Sequence, residues 1–149
     1  AGKRIAVINL SGRVFMDCID CPFKAADKIL NELKNEADVI IVDFHAEATS
    51  EKLAMGWYLD GRVHAVLGTH THVQTSDERI LPGGTAYITD VGMTGPIDSI
   101  LGVEKETVIR KFITGMPARF EIAGGEVAIG AVCIQLDDNN KVTSIKRII

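Results

Sequence analysis

The sequence predicts an α/β fold, a parallel sheet of β-α-β-α-β order followed by a β meander, and two observations carry that expectation. Short apolar runs alternate with amphipathic stretches at helical spacing through the first half of the chain, and strand-like runs separated by turn residues fill its last third. Alternating strand and helix is the pattern of a parallel sheet with crossover helices, whereas successive hairpins read as antiparallel sheet. The 149 residues fit one domain at roughly 150 residues per domain, with no internal repeat, low-complexity tract or linker.

The elements follow in order. Arg4 to Leu10 (RIAVINL) is nearly continuous Ile/Val-rich apolar sequence, expected as a buried strand and punctuated by Ser11-Gly12-Arg13. From Pro22 to Glu36 the period changes: Phe23, Ala26, Ile29, Leu30 and Leu33 share one helical face, and Pro22 suits a first helical position. Val39 to Phe44 (VIIVDF) is a second buried strand. Thr49 or Ser50 can cap a helix through Asp60 whose apolar face is Leu53, Ala54, Trp57 and Tyr58, with Gly61 as its stop. Val63 to Gly68 and Ala86 to Thr89 read as the third and fourth strands. Glu104 to Thr114 reads as a short helix with Val108, Ile109 and Phe112 inward, closed by Gly115 and Pro117. Ala118 to Ile122, Val127 to Leu136 and Val142 to Ile148 then read as strands of the meander, joined by turns at Gly124-Gly125 and Asp137 to Asn140.

Composition excludes several classes. Sixteen Lys+Arg against 20 Asp+Glu give a net charge of −4, so no basic excess exists to release counterions from nucleic-acid phosphates. The hydrophobic fraction of 46% argues against disorder. No apolar run approaches the roughly 20 residues of a membrane span. The start Ala1-Gly2-Lys3-Arg4 leads straight into strand-like sequence, so a signal peptide is not expected. Three cysteines suit a reducing cytoplasm rather than a disulfide scaffold.

Three of the four histidines sit just beyond strand ends: His45 after VIIVDF, and His70 and His72 after AVLG. Ligands of open α/β sheets bind outside the carboxyl ends of the strands, so adjacent strands would bring these imidazoles to one edge. An extended His-x-His turns its rings to opposite faces; a chain leaving the sheet can instead let them straddle two metal ions. Imidazole suits Zn, Fe, Mn or Ni. Asp43 and Glu47 flank His45, each a further ligand or a carboxylate that orients an imidazole. His64 starts its strand and belongs to the opposite edge, as a surface histidine. Cys18-Ile19-Asp20-Cys21 has zinc-knuckle or redox spacing but no second pair, which leaves two ordinary thiols, and Cys133 is expected as a small core residue. In Asp90 to Pro96, glycines and backbone N–H groups could hold an anion, with Gly92 and Thr94 the substrate-binding candidates, or could form a plain turn.

Three segments together carry a family resemblance: Asp43-Phe44-His45-Ala46-Glu47-Ala48-Thr49-Ser50-Glu51-Lys52, Gly68-Thr69-His70-Thr71-His72-Val73-Gln74-Thr75, and Thr89-Asp90-Val91-Gly92-Met93-Thr94-Gly95-Pro96. In order and over nearly the whole chain they resemble the YmdB-like branch of the calcineurin-type metallophosphoesterases. The resemblance implies an αββα sandwich with a dinuclear centre of two divalent ions (Fe, Mn, Mg or Zn) that hydrolyses phosphodiesters, with 2′,3′-cyclic nucleotides as substrates. It implies His45, His70 and His72 as metal ligands, His45 and His70 sharing one ion and His72 serving the other. Family members also carry an N-terminal aspartate, a glutamate-asparagine pair and an asparagine-histidine pair whose histidine is the general acid. Those motifs have no counterpart here, so the chain is expected to be the C-terminal portion of such a domain. The expected partners are a small-molecule phosphodiester and further copies of the chain, with no membrane. Because histidine ligands must be neutral, activity is expected to fall below the imidazole pKa of about 6.5.

Two other classes compete. An inactive fragment or metal-binding regulatory domain follows from the absent bridging carboxylate, and metal content separates it from the enzyme. A metal-dependent amide hydrolase also uses His-x-His, but on the first strand of a barrel with more βα units than this length allows.

Overall fold

Four of the apolar runs become neighbouring strands of one sheet in the computed structural model, which describes residues 2–148. In chain order the elements are β1 (Ile5–Ser11), α1 (Pro22–Glu32), β2 (Val39–His45), α2 (Thr49–Leu59), β3 (Ala65–Thr69), β4 (Arg79–Ile80), β5 (Ala86–Ile88), β6 (Thr94–Pro96), α3 (Lys105–Thr114), β7 (Val127–Ile129), β8 (Ala131–Leu136) and β9 (Val142–Ile148). The main sheet has the order β1-β2-β3-β5-β4, parallel through β5 with β4 antiparallel at one edge. The expected β-α-β-α-β order is therefore present as a mostly parallel mixed sheet. Register pairs Ser11 with His45 and His45 with Thr69, so the three leading strands end level.

Side-chain alternation divides the sheet into two faces. One face sends Ile8, Leu10, Val42, Phe44, Val66 and Tyr87 into a core with α1 and α2. The other sends Ala65, Ala86 and Ile88 against Val132, Ile134, Val142 and Ile145 of the β8–β9 hairpin. That hairpin covers β3 and β5 but not β1, where Ile5 and Val7 are 61% and 68% exposed. The expectation of a fully buried first strand is thus corrected: β1 is the edge strand opposite β4, and helices cover only one of its faces.

Other differences have local causes. The buried residues of α2 are Glu51, Lys52, Met55, Gly56 and Leu59, whereas of the expected apolar face Ala54, Trp57 and Tyr58 are exposed and Leu53 is half-buried. The buried set keeps helical spacing but begins with a glutamate and a lysine, which conceals it from a hydrophobic reading. The α2 cap is Ala48, without a side-chain bond, rather than Thr49 or Ser50. Among α3 residues only Val108 is buried; Ile109 and Phe112 face outward because little packs on this helix. Residues 118–122 form no strand, only a bridge from Ile122 to Val103. The single strand expected over 127–136 breaks at Gly130, whose N–H bonds Met93 O at 3.0 Å and where a Cβ would meet that same oxygen at 2.8 Å. β7 therefore pairs with β6 and β8 with β9, and the meander reduces to one hairpin plus a separate ladder. Cys133 is exposed, not core, because the hairpin buries one face and Val132 and Ile134 occupy it. No helix among the described residues is long and apolar enough to cross a membrane.

Candidate metal centre

At the C-terminal edge of the parallel strands, alternation turns Asn9, Asp43, His45 and Thr69 toward the face away from α1 and α2, since their neighbours Leu10, Phe44 and Val66 enter the helical core. These polar groups are connected in a chain of hydrogen bonds. Asn9 Nδ2 donates to Asp43 Oδ2 at 2.8 Å, and Thr69 Oγ1 donates to Asp43 Oδ1 at 2.9 Å. With its proton on Asp43, the Thr69 hydroxyl accepts from His45 Nδ1 at 3.1 Å. That assigns the Nδ1–H tautomer to His45 and leaves a lone pair on Nε2. On the other side Glu47 Oε2 lies 2.6 Å from His70 Nε2, which places a proton on Nε2 and, in the neutral ring, leaves a lone pair on Nδ1.

The two inner ring nitrogens face one another. His70 Nδ1 and His45 Nε2 are 3.0 Å apart, with the rings edge to face at 82°. A proton on either nitrogen makes this contact a hydrogen bond; with both unprotonated, the separation is comparable to that of two nitrogens about 2.1 Å from one ion. The imidazole pair thus fits a metal ion, and both outer nitrogens are held by carboxylate or hydroxyl partners, as metal-ligating histidines commonly are. Glu47 touches His70 directly, while Asp43 reaches His45 only through Thr69.

His72 is exposed and lies apart from this pair, lining a cavity of ≈ 190 Å³ with Gln74, Gly92, Met93, Gly130 and Arg147. His70 and His72 both have positive φ, 104° and 68°, so the segment has left extended geometry as a straddling His-x-His requires. Among the described residues no group of three or more His, Cys, Asp or Glu side chains converges to hold an ion. Gly92 lines the same cavity but donates its N–H to Asp90 Oδ1 at 2.9 Å; Thr94 stands exposed on β6, paired with Ile129.

The remaining candidates lie elsewhere. His64 occupies the opposite edge, as expected, but is half-buried: its Nδ1 accepts the Ile40 N–H at 3.0 Å, and burial pushes its pKa down despite a bond to the Asn140 backbone. Cys18 and Cys21 are free thiols beside α1, and the Lys24 backbone N–H lowers the Cys21 pKa.

A family model described as YmdB-like protein matches residues 1–148. The chain belongs to the YmdB-like family. Over 149 residues it is 57% identical to the 2′,3′-cyclic-nucleotide 2′-phosphodiesterase of Bacillus subtilis (strain 168), covering 99% of this chain and 56% of that protein. A hypothetical protein from Thermus thermophilus superposes with a TM-score of 0.92 at 47% identity, over 99% of this chain and 57% of that one. A novel phosphatase from Mycoplasma pneumoniae superposes with a TM-score of 0.87 at 40% identity, over 97% and 52%. This YmdB-like chain therefore spans about half the length of the relatives it matches.

Sequence reasoning left several supporting residues without a role. Glu51 accepts the backbone N–H groups of Arg13 and Val14 at 3.0 to 3.2 Å, holding the loop after β1. Lys52 and Asp90 form a buried ion pair of 2.8 Å behind the His70 loop. Gln74 Nε2 donates to Val91 O and Ala131 O, both at 3.0 Å. The available signal was positional: Glu51, Lys52, Gln74 and Asp90 lie within the three segments that carry the family resemblance, two of which hold the histidines.

Proposed function

We propose that this chain is the C-terminal portion of a metal-dependent phosphodiesterase of the 2′,3′-cyclic-nucleotide 2′-phosphodiesterase type, acting in the cytoplasm on a dinuclear centre. The observation that carries the reading is the pair of facing imidazole nitrogens, His45 Nε2 and His70 Nδ1, 3.0 Å apart at the carboxyl edge of the sheet. His45 and His70 would hold one divalent ion (Fe, Mn, Mg or Zn), and His72 would serve the second. The name of the Bacillus subtilis relative supports the substrate class. In this reading the uncovered face of β1 and β2 receives the second sheet of an αββα sandwich, supplied by the rest of a longer protein, whose residues complete both ion shells and provide the general acid.

When bound, divalent ions supply the positive charge that polarises phosphoryl oxygens, which a chain of net charge −4 otherwise lacks. The chain's own groups then have distinct tasks. Glu47 and the Thr69–Asp43–Asn9 relay fix the tautomer and direction of His70 and His45. His72 faces the cavity that would admit substrate beside the centre. Gly92, at φ +80 with Gln74 behind it, keeps one wall of that cavity low, and Thr94 would meet substrate only beyond the lining residues.

A second reading, a metal-binding regulatory module without catalysis, draws on the absence of any three-ligand cluster among the described residues. The deciding experiment is hydrolysis of a 2′,3′-cyclic nucleotide by the full-length protein with Mn²⁺. The expected result is turnover that His72→Ala lowers by more than the about 10–100-fold typical of residues behind the ligands. Unchanged turnover in that variant would remove His72 from the centre, and no turnover by the unsubstituted protein would favour the regulatory reading.

A further inference from the structure

The geometry points to the buried Lys52–Asp90 ion pair as the positioning device that sets the His70-Thr71-His72 segment for metal binding, a role that rests on the metal reading above. Lys52 leaves the buried face of α2 and Asp90 follows β5, and the two side chains, each 1% exposed, meet at 2.8 Å. Between them and the histidines lies Thr71. Its backbone N–H donates to Asp90 Oδ2 at 2.9 Å, and its hydroxyl takes a bond from Lys52 Nζ at 3.3 Å. One carboxylate oxygen therefore receives both the ammonium and the Thr71 amide, while Oδ1 receives the Gly92 N–H at 2.9 Å.

Three features separate this arrangement from an ordinary core contact. First, Thr71 is held at both its backbone and its side chain, and it stands between two non-glycine residues of positive φ, His70 at 104° and His72 at 68°. Backbone of this kind persists only where its surroundings over-determine it. Second, the lysine path is built for the purpose. At Gly68 a Cβ would overlap the Thr89 carbonyl oxygen and press the Lys52 Cδ at 3.1 Å, so the missing side chain lets the stem cross under the loop. Third, a buried ion pair is weak evidence for stability, since apolar residues of similar volume commonly serve as well. What it supplies instead is direction: a fixed ammonium and a carboxylate bonded to it, to Thr71 and to Gly92 join α2, the β3 loop and the β5 loop at one point.

The test uses the full-length protein and Mn²⁺ alone, with affinity measured by equilibrium dialysis and melting of the metal-free protein followed in parallel. Lys52→Met and Asp90→Asn are expected to weaken Mn²⁺ binding by about 10–100-fold. Met55→Ala, a core change on the same helix face, lowers the melting temperature yet keeps unsubstituted affinity. Should Lys52→Met and Asp90→Asn fail to fold, Thr71→Val keeps the ion pair and removes only the hydroxyl contact, with an expected loss of about fivefold. Affinity at the unsubstituted level in the folded Lys52 and Asp90 variants, or in Thr71→Val where those do not fold, overturns the positioning role. His70→Ala separates this failure from failure of the metal reading. If His70→Ala abolishes binding and the Lys52 variant does not alter it, only the positioning role falls. If the unsubstituted protein binds no Mn²⁺, both fall.

Discussion

His45, His70 and His64 show how one residue type takes different work from its partners. His45 and His70 have their outer nitrogens occupied by Thr69 and Glu47, so their inner nitrogens are left to face each other. His64 has its Nδ1 taken by the Ile40 N–H, and the Asn140 backbone lies against the ring, so it is held as a structural histidine at the opposite edge. Burial holds its pKa below the ordinary imidazole value of about 6.5, so the folded protein keeps it neutral. As pH falls, the unfolded chain takes up this proton first, so the contribution of His64 is complete above about pH 6.5 and is lost as pH drops through the lower folded value. Melting temperatures of the full-length protein between about pH 7.5 and pH 5 should therefore fall less steeply in His64→Gln than in the unsubstituted protein. Equal slopes would show that other groups carry the acid sensitivity.

At the scale of elements, α2 is the one that organises the site, and its packing makes a clear contrast. Met55 is fully buried and Trp57, two residues on, is 52% exposed, with Arg79 over its ring. Met55→Ala is expected to cost about 2–5 kcal/mol by leaving a cavity. Trp57→Ala should cost less than about 1.5 kcal/mol in denaturant unfolding, and the reverse order would mean that α2 packs through its other face. The same helix shows which parts of the fold were legible in advance. β1, α1, β2, α2 and β3 announce themselves because apolar runs and 3.6-residue spacing are local properties of the chain. The inward face of α2 was not legible, because Lys52 is buried only through Asp90, 38 residues away. Nor was the break at Gly130, which depends on the backbone of Met93 approaching it. The two-residue β4 has too little sequence to show any period. For the site, the histidines were legible from their position after strand ends, whereas Asn9 and Thr69 acquire their roles only when β1, β2 and β3 align in register.

For the whole molecule, the asymmetry of the sheet decides what the protein needs. Its helical face is closed by α1 and α2, and half of its other face by the β8–β9 hairpin. The uncovered half contains Ile5 and Val7, 61% and 68% exposed, in line along β1 with Asn9, the outermost member of the histidine relay. Apolar residues that continue directly into a polar site are where a second layer would both bury surface and bring further ligands to the same edge. The relatives are nearly twice as long as this chain, which leaves ample sequence for such a layer. Val7 distinguishes the cases, since it lies on this face but touches none of the groups proposed to hold metal. If the layer forms, Val7→Asp in the full-length protein places an unpaired carboxylate in an apolar contact and should cost about 3 kcal/mol or more in unfolding free energy. If the face stays open to water, the same change should behave as a surface substitution, within about 0.5 kcal/mol. A small cost would mean that the further ligands proposed for His45 and His70 come from somewhere other than a sheet packed on β1.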